Sequence, residues 1–244
     1  MFTNDVPLFI TLNKVRGRSS AFELNRLKRI LKIKKAGYCG TLDPIAEGVL
    51  VIACGKATKL ISKITDSDKH YSGTMKLGVT SPSYDTETEM TPSGIVPELT
   101  SEQLREIEKS FSGIIKQRPP VFSALKVNGR RSCDLARKGI ESELPERTVT
   151  VHSIKLDITD NDLITFSIEC SKGTYIRSIV NDIGRVLNCG AVMQSLRRER
   201  VGIFSIERSV TISELSENPD TVEKAVMTAD EFLSQFPDPE NKNE

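Results

Sequence analysis

The sequence is poor in the residues from which metal sites and covalent cross-links are built. It contains only two histidines, His70 and His152, and its five cysteines include no Cys-x-x-Cys pair. These spacings exclude the usual zinc-binding patterns and a disulfide framework, so we expect no metal site and reduced thiols. The odd number of cysteines and the absence of a secretory signal pattern predict a cytoplasmic protein.

Long apolar runs and nucleotide-binding patterns are missing as well. No apolar run approaches the roughly 20 residues of a membrane-spanning helix, so we expect no contact with a membrane. The glycine-rich P-loop of many nucleotide-binding proteins does not occur either. The chain does have 244 residues of ordinary apolar and charged composition, which is enough to bury a substantial core.

Charge is distributed unevenly along the chain. The net charge is +1, but residues 214–244 contain nine acidic and two basic residues, so the rest of the chain carries +8. A basic body is compatible with a polyanionic partner. One stretch, between Gly113 and Lys138, is a candidate arm for phosphate groups, with an ordinary solvated loop as the alternative. Its basic residues, against the single acid Asp134, are Lys116, Arg118, Lys126, Arg130, Arg131, Arg137 and Lys138.

Hydrophobic periodicity predicts a chain of mixed helices and strands. Alternating apolar residues indicate a half-buried strand that begins with Tyr71. Ser20 with Glu23, and Thr100 with Gln103, are typical of helix N-termini that carry a capping box. The polar, acidic and turn-rich residues 81–97 predict a surface loop. Further strands are expected at 8–12, 148–158 and 163–170, and further helices around 57–64 and over 176–187.

The most constrained stretch is Gly37–Gly48, with the sequence Gly-Tyr-Cys-Gly-Thr-Leu-Asp-Pro-Ile-Ala-Glu-Gly. Its glycines allow sharp turns, and Pro44 biases Asp43 toward an extended backbone. A basic segment precedes the stretch, and the apolar run Val49–Cys54 follows it. A carboxylate held between a cationic and a buried segment is suited to catalysis, although an Asp-Pro pair taken alone is more typical of an ordinary turn.

Five segments occur in a distinctive order between Leu8 and Phe204. They are Gly37–Pro44, Asp68–Tyr71 leading to Leu77-Gly78, Pro119–Gly129, Ser171–Arg177 and Leu196–Arg198. In their order and spacing they resemble the TruB-type tRNA pseudouridine synthases, which isomerise uridine 55 in the T loop of tRNA to pseudouridine.

The resemblance implies a fold and a reaction. The fold is α+β, with a largely antiparallel central sheet flanked by helices and a basic RNA-binding insertion at 114–147. A catalytic domain would cover 1–208, and 209–244 would be a short acidic extension rather than a full-length further RNA-binding domain. The isomerase reaction needs no cofactor and no metal, because nothing is oxidised or hydrolysed. We also expect a monomer whose partner is the T stem-loop of tRNA.

The resemblance also assigns roles to single residues. Asp43 is the catalytic nucleophile or base, and Arg177 pairs with it and keeps it ionised. Tyr71 and Tyr175 line the pocket, one stacking on the flipped base and one supporting the Asp–Arg pair. Tyr71 is also a candidate for removing the C5 proton, and Leu196 forms a pocket wall. An extended Tyr175-Ile176-Arg177 would direct Tyr175 and Arg177 to one side. The implied RNA-binding residues are Lys116, Arg118, Lys126, Arg130 and Arg131.

Two positions depart from the family pattern. Tyr38 stands where the family commonly has a histidine that stacks in the tRNA loop, and Val15 stands where it usually has proline. Tyrosine keeps the aromatic plane but loses the titratable ring. Three alternatives therefore stay open: a related synthase acting on another RNA, a non-catalytic tRNA-binding or folding protein, and a phosphate-binding domain in which Asp43 belongs to a structural turn.

Overall fold

The computed structural model describes residues 6–140 and 144–235, which divide into two compact units. Residues up to Ser67 and from Arg198 onward form unit 1, and Asp68–Arg197 form unit 2. The chain therefore leaves unit 1 and returns to it, and the return falls inside a strand, Ala191–Val201.

The described residues form strands and short helices in alternation. The strands are β1 (Leu8–Lys14), β2 (Ala36–Tyr38), β3 (Glu47–Cys54), β4 (Lys69–Leu77), β5 (Val79–Thr80), β6 (Thr91–Pro92), β7 (Gly113–Gln117), β8 (Lys126–Val127), β9 (Arg130–Arg131), β10 (Arg147–Asp160), β11 (Leu163–Cys170), β12 (Ala191–Val201), β13 (Phe204–Ser205) and β14 (Val226–Thr228). The α-helices are α1 (Ser20–Ile30), α2 (Ile61–Thr65), α3 (Ser101–Ser110), α4 (Ser132–Ala136), α5 (Ile176–Val186), α6 (Ile212–Glu217) and α7 (Ala229–Ser234). Short 3₁₀ helices cover Gly55–Leu60, Ile206–Arg208 and Pro219–Ala225.

Unit 1 is built around β1, which pairs antiparallel with β3 along its whole length and with β14 on its other side. All residues of β3 except the first are buried, which explains the uninterrupted apolar run that follows the Asp43 stretch. Three phenylalanine rings, Phe9, Phe204 and Phe232, lie 5.0–5.8 Å apart between centroids and fill the core. This core anchors the strand from which the Asp43 loop projects.

Unit 2 contains a sheet in the order β12–β4–β11–β10–β7, in which β4, β11, β10 and β7 pair antiparallel. Burial alternates along β4 and places Tyr71, Met75 and Leu77 on the inner face, as the periodicity predicts. Helix α5 buries one apolar face, and its end is marked by Asn188 and Gly190, both with positive φ. The α+β class and the antiparallel pairing expected from the sequence are confirmed.

Several local expectations can be compared with the structure. The capping box of Thr100 and Gln103 is present at α3. The one predicted for Ser20 and Glu23 is wrong, because the cap of α1 is Ser19, whose side chain accepts from the Phe22 amide. The hydroxyl of Ser20 bonds the backbone of Leu42 instead.

Two predicted loops also contain more structure than expected. Residues 81–97 contain strand β6, which pairs with β5 just before the segment, and they bury Ser81, Ser83 and Asp85, so this segment is not a simple surface loop. The segment 114–147 begins inside β7 and ends at the first residue of β10. The acidic extension contains α6, α7 and β14, whereas the domain division at residue 208 stays a prediction. No helix within the described residues is long and apolar enough to cross a membrane.

Candidate active site

Asp43 lies in unit 1, in the loop that connects β2 to β3, and its side chain is half-buried. The Ala46 amide donates to the Asp43 carbonyl over 3.0 Å, so the turn expected of an Asp-Pro pair does form. At the end of the loop Gly48 has a φ of 98°, and a Cβ there would lie 2.3 Å from the Arg198 carbonyl oxygen. Only glycine fits this position, and the loop is thereby pressed against Arg198.

Three buried side chains bind the backbone of this loop on both sides of Asp43. The Lys14 ammonium donates to the carbonyls of Val15, Pro44 and Ala46. The Ser20 hydroxyl donates to the Leu42 carbonyl and accepts from the Leu42 amide, both over 2.9 Å. The Arg198 guanidinium donates to the carbonyls of Val49 (2.8 Å) and Gly40 (3.1 Å). These contacts fix the loop as a rigid element.

Burial shifts the pKa values of the ionisable side chains in and near the loop. Burial lowers the pKa of Lys14 from 10.5 to about 8, even though the nearby carboxylates of Glu23, Asp43 and Glu47 act in the opposite direction. Burial likewise raises the pKa of Glu23. The Cys39 thiol in the same loop has a pKa raised to about 12 by burial, so it does not supply a nucleophile.

Arg177 lies in unit 2, in the first turn of α5, and its side chain is fixed through its own donors. It donates to the carbonyls of Ser83 (3.0 Å) and Phe122 (2.9 Å). Its Nη1 also lies 3.4 Å from Oδ2 of Asp85, and the two side chains are 4% and 0% exposed. This is a buried ion pair, and removing one partner of such a pair strongly destabilises a protein.

Asp85 is the buried partner of Arg177 that the sequence analysis missed. Its other carboxylate oxygen accepts from the Glu87 amide over 2.8 Å, and its carbonyl accepts from the hydroxyls of Ser81 and Ser83. The alternation of serine, threonine and acidic residues in this segment is typical of side-chain-to-backbone turns, and it is the signal from which a built site could have been inferred.

Tyr175 is the N-cap of α5, so Tyr175-Ile176-Arg177 is not extended and the expectation based on an extended tripeptide is wrong. The buried Gln117 side chain accepts from the Tyr175 amide (2.8 Å) and donates to its carbonyl (3.0 Å). The Arg147 guanidinium lies over the Tyr175 ring, 5.6 Å from its centroid. The ring and the helix start are therefore both fixed by neighbours.

The other predicted pocket residues fall on strands. Tyr71 is buried on β4 and Leu196 on β12, both within unit 2. Tyr38 is the half-buried last residue of β2 in unit 1. The predicted pairing of Asp43 with Arg177, and the shared pocket of these residues, stay predictions.

The five predicted RNA-binding residues fall into two groups. Lys126, Arg130 and Arg131 lie on the hairpin of β8 and β9, which turns at Asn128-Gly129 with positive φ at both residues. Lys116 is exposed on β7, and Arg118, also exposed, lies 3.7 Å from Glu146. In the described part of the chain no group of three or more histidine, cysteine or acidic side chains could hold a metal ion.

Comparison with known proteins shows matches over most of the chain. The N-terminal domain of TruB family pseudouridylate synthases matches residues 28–176, and the tRNA pseudouridylate synthase B C-terminal domain matches residues 177–234. The tRNA pseudouridine synthase B of Endomicrobium trichonymphae is 37% identical over 91% of this chain and 97% of its own length. That of Clostridium kluyveri is 41% identical over 94% of this chain and 78% of its own length.

Two solved structures share the fold. The matching chain of a Cbf5-Nop10-Gar1 complex has a TM-score of 0.74 and 28% identity, over 94% of this chain and 62% of that chain. An H/ACA RNP bound to a substrate RNA containing 2′-deoxyuridine gives a TM-score of 0.68 and 26% identity, over 93% of this chain and 60% of that chain. This chain thus spans less than two thirds of either structure's matching chain.

Proposed function

Since the chain belongs to the TruB family of pseudouridylate synthases, we propose that it isomerises the T-loop uridine of tRNA, at position 55, to pseudouridine. Support comes from the curated relatives, which carry the name tRNA pseudouridine synthase B and match nearly the whole chain. The observation that carries the proposal is the Asp43 loop, whose backbone is held by Lys14, Ser20 and Arg198. A carboxylate that reacts with an extruded base must be held in a fixed position, and such a pre-organised element provides this.

In the proposed reaction Asp43 acts as nucleophile or base on the flipped uridine. The bond between N1 of uracil and C1′ breaks, the base turns, and a bond forms between C5 and C1′. The C5 proton leaves and N1 takes up a proton, so the reaction consumes no net proton, oxidant or water. Arg177 keeps the carboxylate charged, and Tyr71 stacks on the base and assists the proton removal. Stacking contributes about 1–3 kcal/mol per base, which is comparable to the few kcal/mol that extrusion costs.

The remaining residues of the proposed pocket position the nucleotide. Tyr175 supports the Asp–Arg pair, Leu196 forms an apolar wall, and Tyr38 stacks in the space that the base leaves. The exposed cations of the β8–β9 hairpin bind backbone phosphates, together with Lys116 and Arg118. The proposed enzyme is a cytoplasmic monomer that works on the T stem-loop without a metal ion.

The test is the variant Asp43→Asn, assayed by carbodiimide mapping of pseudouridine in a tRNA transcript. We expect conversion to be abolished while tRNA affinity changes by less than about tenfold, because the substitution removes a charge and no bulk. Asp157→Asn, at an exposed position of β10, is the matched control. Turnover by Asp43→Asn would contradict the mechanism, and wild-type conversion of transcripts with a foreign T loop would favour a synthase for another RNA.

A further inference from the structure

A cavity of about 370 Å³ lies in unit 2, between the end of β7 and helix α5. Its volume is in the range of small-ligand sites. The lining is polar and combines cations, carboxylates, an amide and one aromatic ring. The lining includes none of the residues to which the proposed reaction assigns catalytic chemistry, and it includes Lys116 and Arg118 of the proposed phosphate-binding group.

The cations of the cavity come from two elements. Lys116 and Arg118 lie at the end of β7, and Arg185 projects from α5. Arg118 is near Glu146 and Arg185 interacts electrostatically with Asp182, whereas no ion pair within residues 6–140 and 144–235 involves Lys116. The three cations outnumber the two carboxylates of the lining, and exposed cations that converge on one cavity are suited to a phosphate group.

Helix α5 supplies two polar side chains that are suited to the hydrogen-bonding edge of an uncharged base. Asn181 and Asp182 follow one another on the helix, and the amide donates to the carboxylate over a long 3.4 Å. Partial burial raises the pKa of Asp182, so its carboxylate is incompletely solvated and gains from a further donor. A carboxylate is the side-chain acceptor for the amino group of cytosine, and an amide supplies both a donor and an acceptor.

The aromatic ring of the cavity belongs to a residue whose backbone conformation is unfavourable. Tyr84 has a φ of 61°, which is rare for a bulky residue. Its amide donates to the Ser81 carbonyl (3.1 Å), and its carbonyl accepts from the Met193 amide (3.0 Å). The backbone contacts on both sides keep the half-buried ring at the cavity, where it offers a flat face for a base.

We propose that this cavity binds a second, unpaired nucleotide of the RNA substrate whose base carries an amino group. The base stacks on Tyr84 and donates to Asp182, and the phosphate contacts Lys116 and Arg185. Loops in RNA expose unstacked bases of this kind. The inference rests on the proposed function only in taking the ligand to be the same RNA as the one modified.

The experiment measures equilibrium binding of a T stem-loop RNA over a series of salt concentrations. Arg185→Gln should weaken binding about fivefold and lower the slope of log K against log salt by about one, because one phosphate contact is lost. Tyr84→Asn should weaken binding about fivefold or more without changing the slope, since it removes a stacking face and no charge. Asparagine tolerates the left-handed backbone, so this variant keeps the local structure. Lys155→Gln, on an exposed part of β10, is the control for loss of a remote cation.

A second arm identifies the nucleotide with RNAs that carry one abasic position in the loop. One of these RNAs should bind the wild type more weakly than the intact RNA does. The same RNA should bind Tyr84→Asn with the affinity that it has for the wild type, because the base that stacks on Tyr84 is already missing. Wild-type affinity and slope in both variants would overturn the second nucleotide site, and wild-type turnover of tRNA would then leave the proposed function standing. Conversely, weakened binding in the variants with no turnover by the wild type would retain the site and reject the proposed function.

Discussion

The two regions that carry the proposed catalytic groups are constructed in opposite ways. In unit 1 the side chains of Lys14, Ser20 and Arg198 bind backbone atoms, and Asp43 is positioned through its loop. In unit 2 backbone carbonyls and the Asp85 carboxylate bind the Arg177 side chain directly. One region therefore fixes a backbone and the other fixes a functional group.

This difference has consequences for mutation. Removing a contact in unit 2 alters the position or the electrostatic environment of Arg177 itself, so activity is affected first. Removing one of the three contacts in unit 1 leaves the others on the loop, so stability is affected first and the remaining contacts still position Asp43.

The largest expected effect is that of Asp85→Ala. It removes the Asp85 carboxylate from the buried Arg177 guanidinium, and breaking such a buried pair costs about 3–5 kcal/mol. We expect the free energy of unfolding to fall by about that amount and kcat to fall by about 10² or more, which is about 2.7 kcal/mol of barrier. Chemical denaturation and single-turnover conversion measure the two quantities.

A control from the same segment separates the ion pair from its surroundings. Glu87→Gln removes a neighbouring carboxylate that bonds the exposed Arg137, so it should leave kcat within about twofold. Near-wild-type kcat in Asp85→Ala would show that the carbonyls of Ser83 and Phe122 suffice to hold Arg177, and the comparison between the units would lose its basis.

The features that local sequence patterns could predict are those whose causes lie within a few residues. The alternation along β4 and the Thr100–Gln103 capping box are of this kind, and both are confirmed. The hydrogen bonds that hold the Asp43 loop and the Arg177 side chain instead join residues that are far apart in the sequence. Arg198 bonds the carbonyl of Gly40 across 158 residues of chain, and Arg177 bonds that of Ser83 across 94. No local period encodes such contacts, so the support for Asp43 and the partner of Arg177 could not be inferred from periodicity.

Lys14→Met tests the unit 1 side of the comparison through pH. Lys14 has a pKa of about 8 in the folded protein against 10.5 in the unfolded chain, so the unfolded chain binds more protons between these values. Its contribution to the free energy of unfolding therefore rises with pH over this window, by about 3 kcal/mol in total, and is smallest below pH 8.

The measurement is urea denaturation of the wild type and Lys14→Met at several pH values between 7.5 and 10. The difference between the two free energies of unfolding should grow with pH, and kcat measured below pH 8 should fall by less than about tenfold, because Ser20 and Arg198 still hold the loop. Lys56→Met, at an exposed position, should show no such growth. A pH-independent difference would mean that the Lys14 ammonium is not destabilised by burial.

The smallest expected effect comes from Arg147→Met, which removes the cation over the Tyr175 ring. Cation–π contacts are worth about 0.5–1 kcal/mol at partly exposed sites, so kcat/KM should fall about two- to fivefold. The Gln117 side chain still holds the Tyr175 backbone in this variant, which limits the loss to the orientation of the ring. Arg147→Lys should recover part of the activity, because it restores a cation without the planar guanidinium. The ion pair between Arg177 and Asp85 is intact in both Arg147 variants. A loss of activity as large as that of Asp85→Ala would therefore show that activity depends on the orientation of the Tyr175 ring more than on the position of the Arg177 guanidinium.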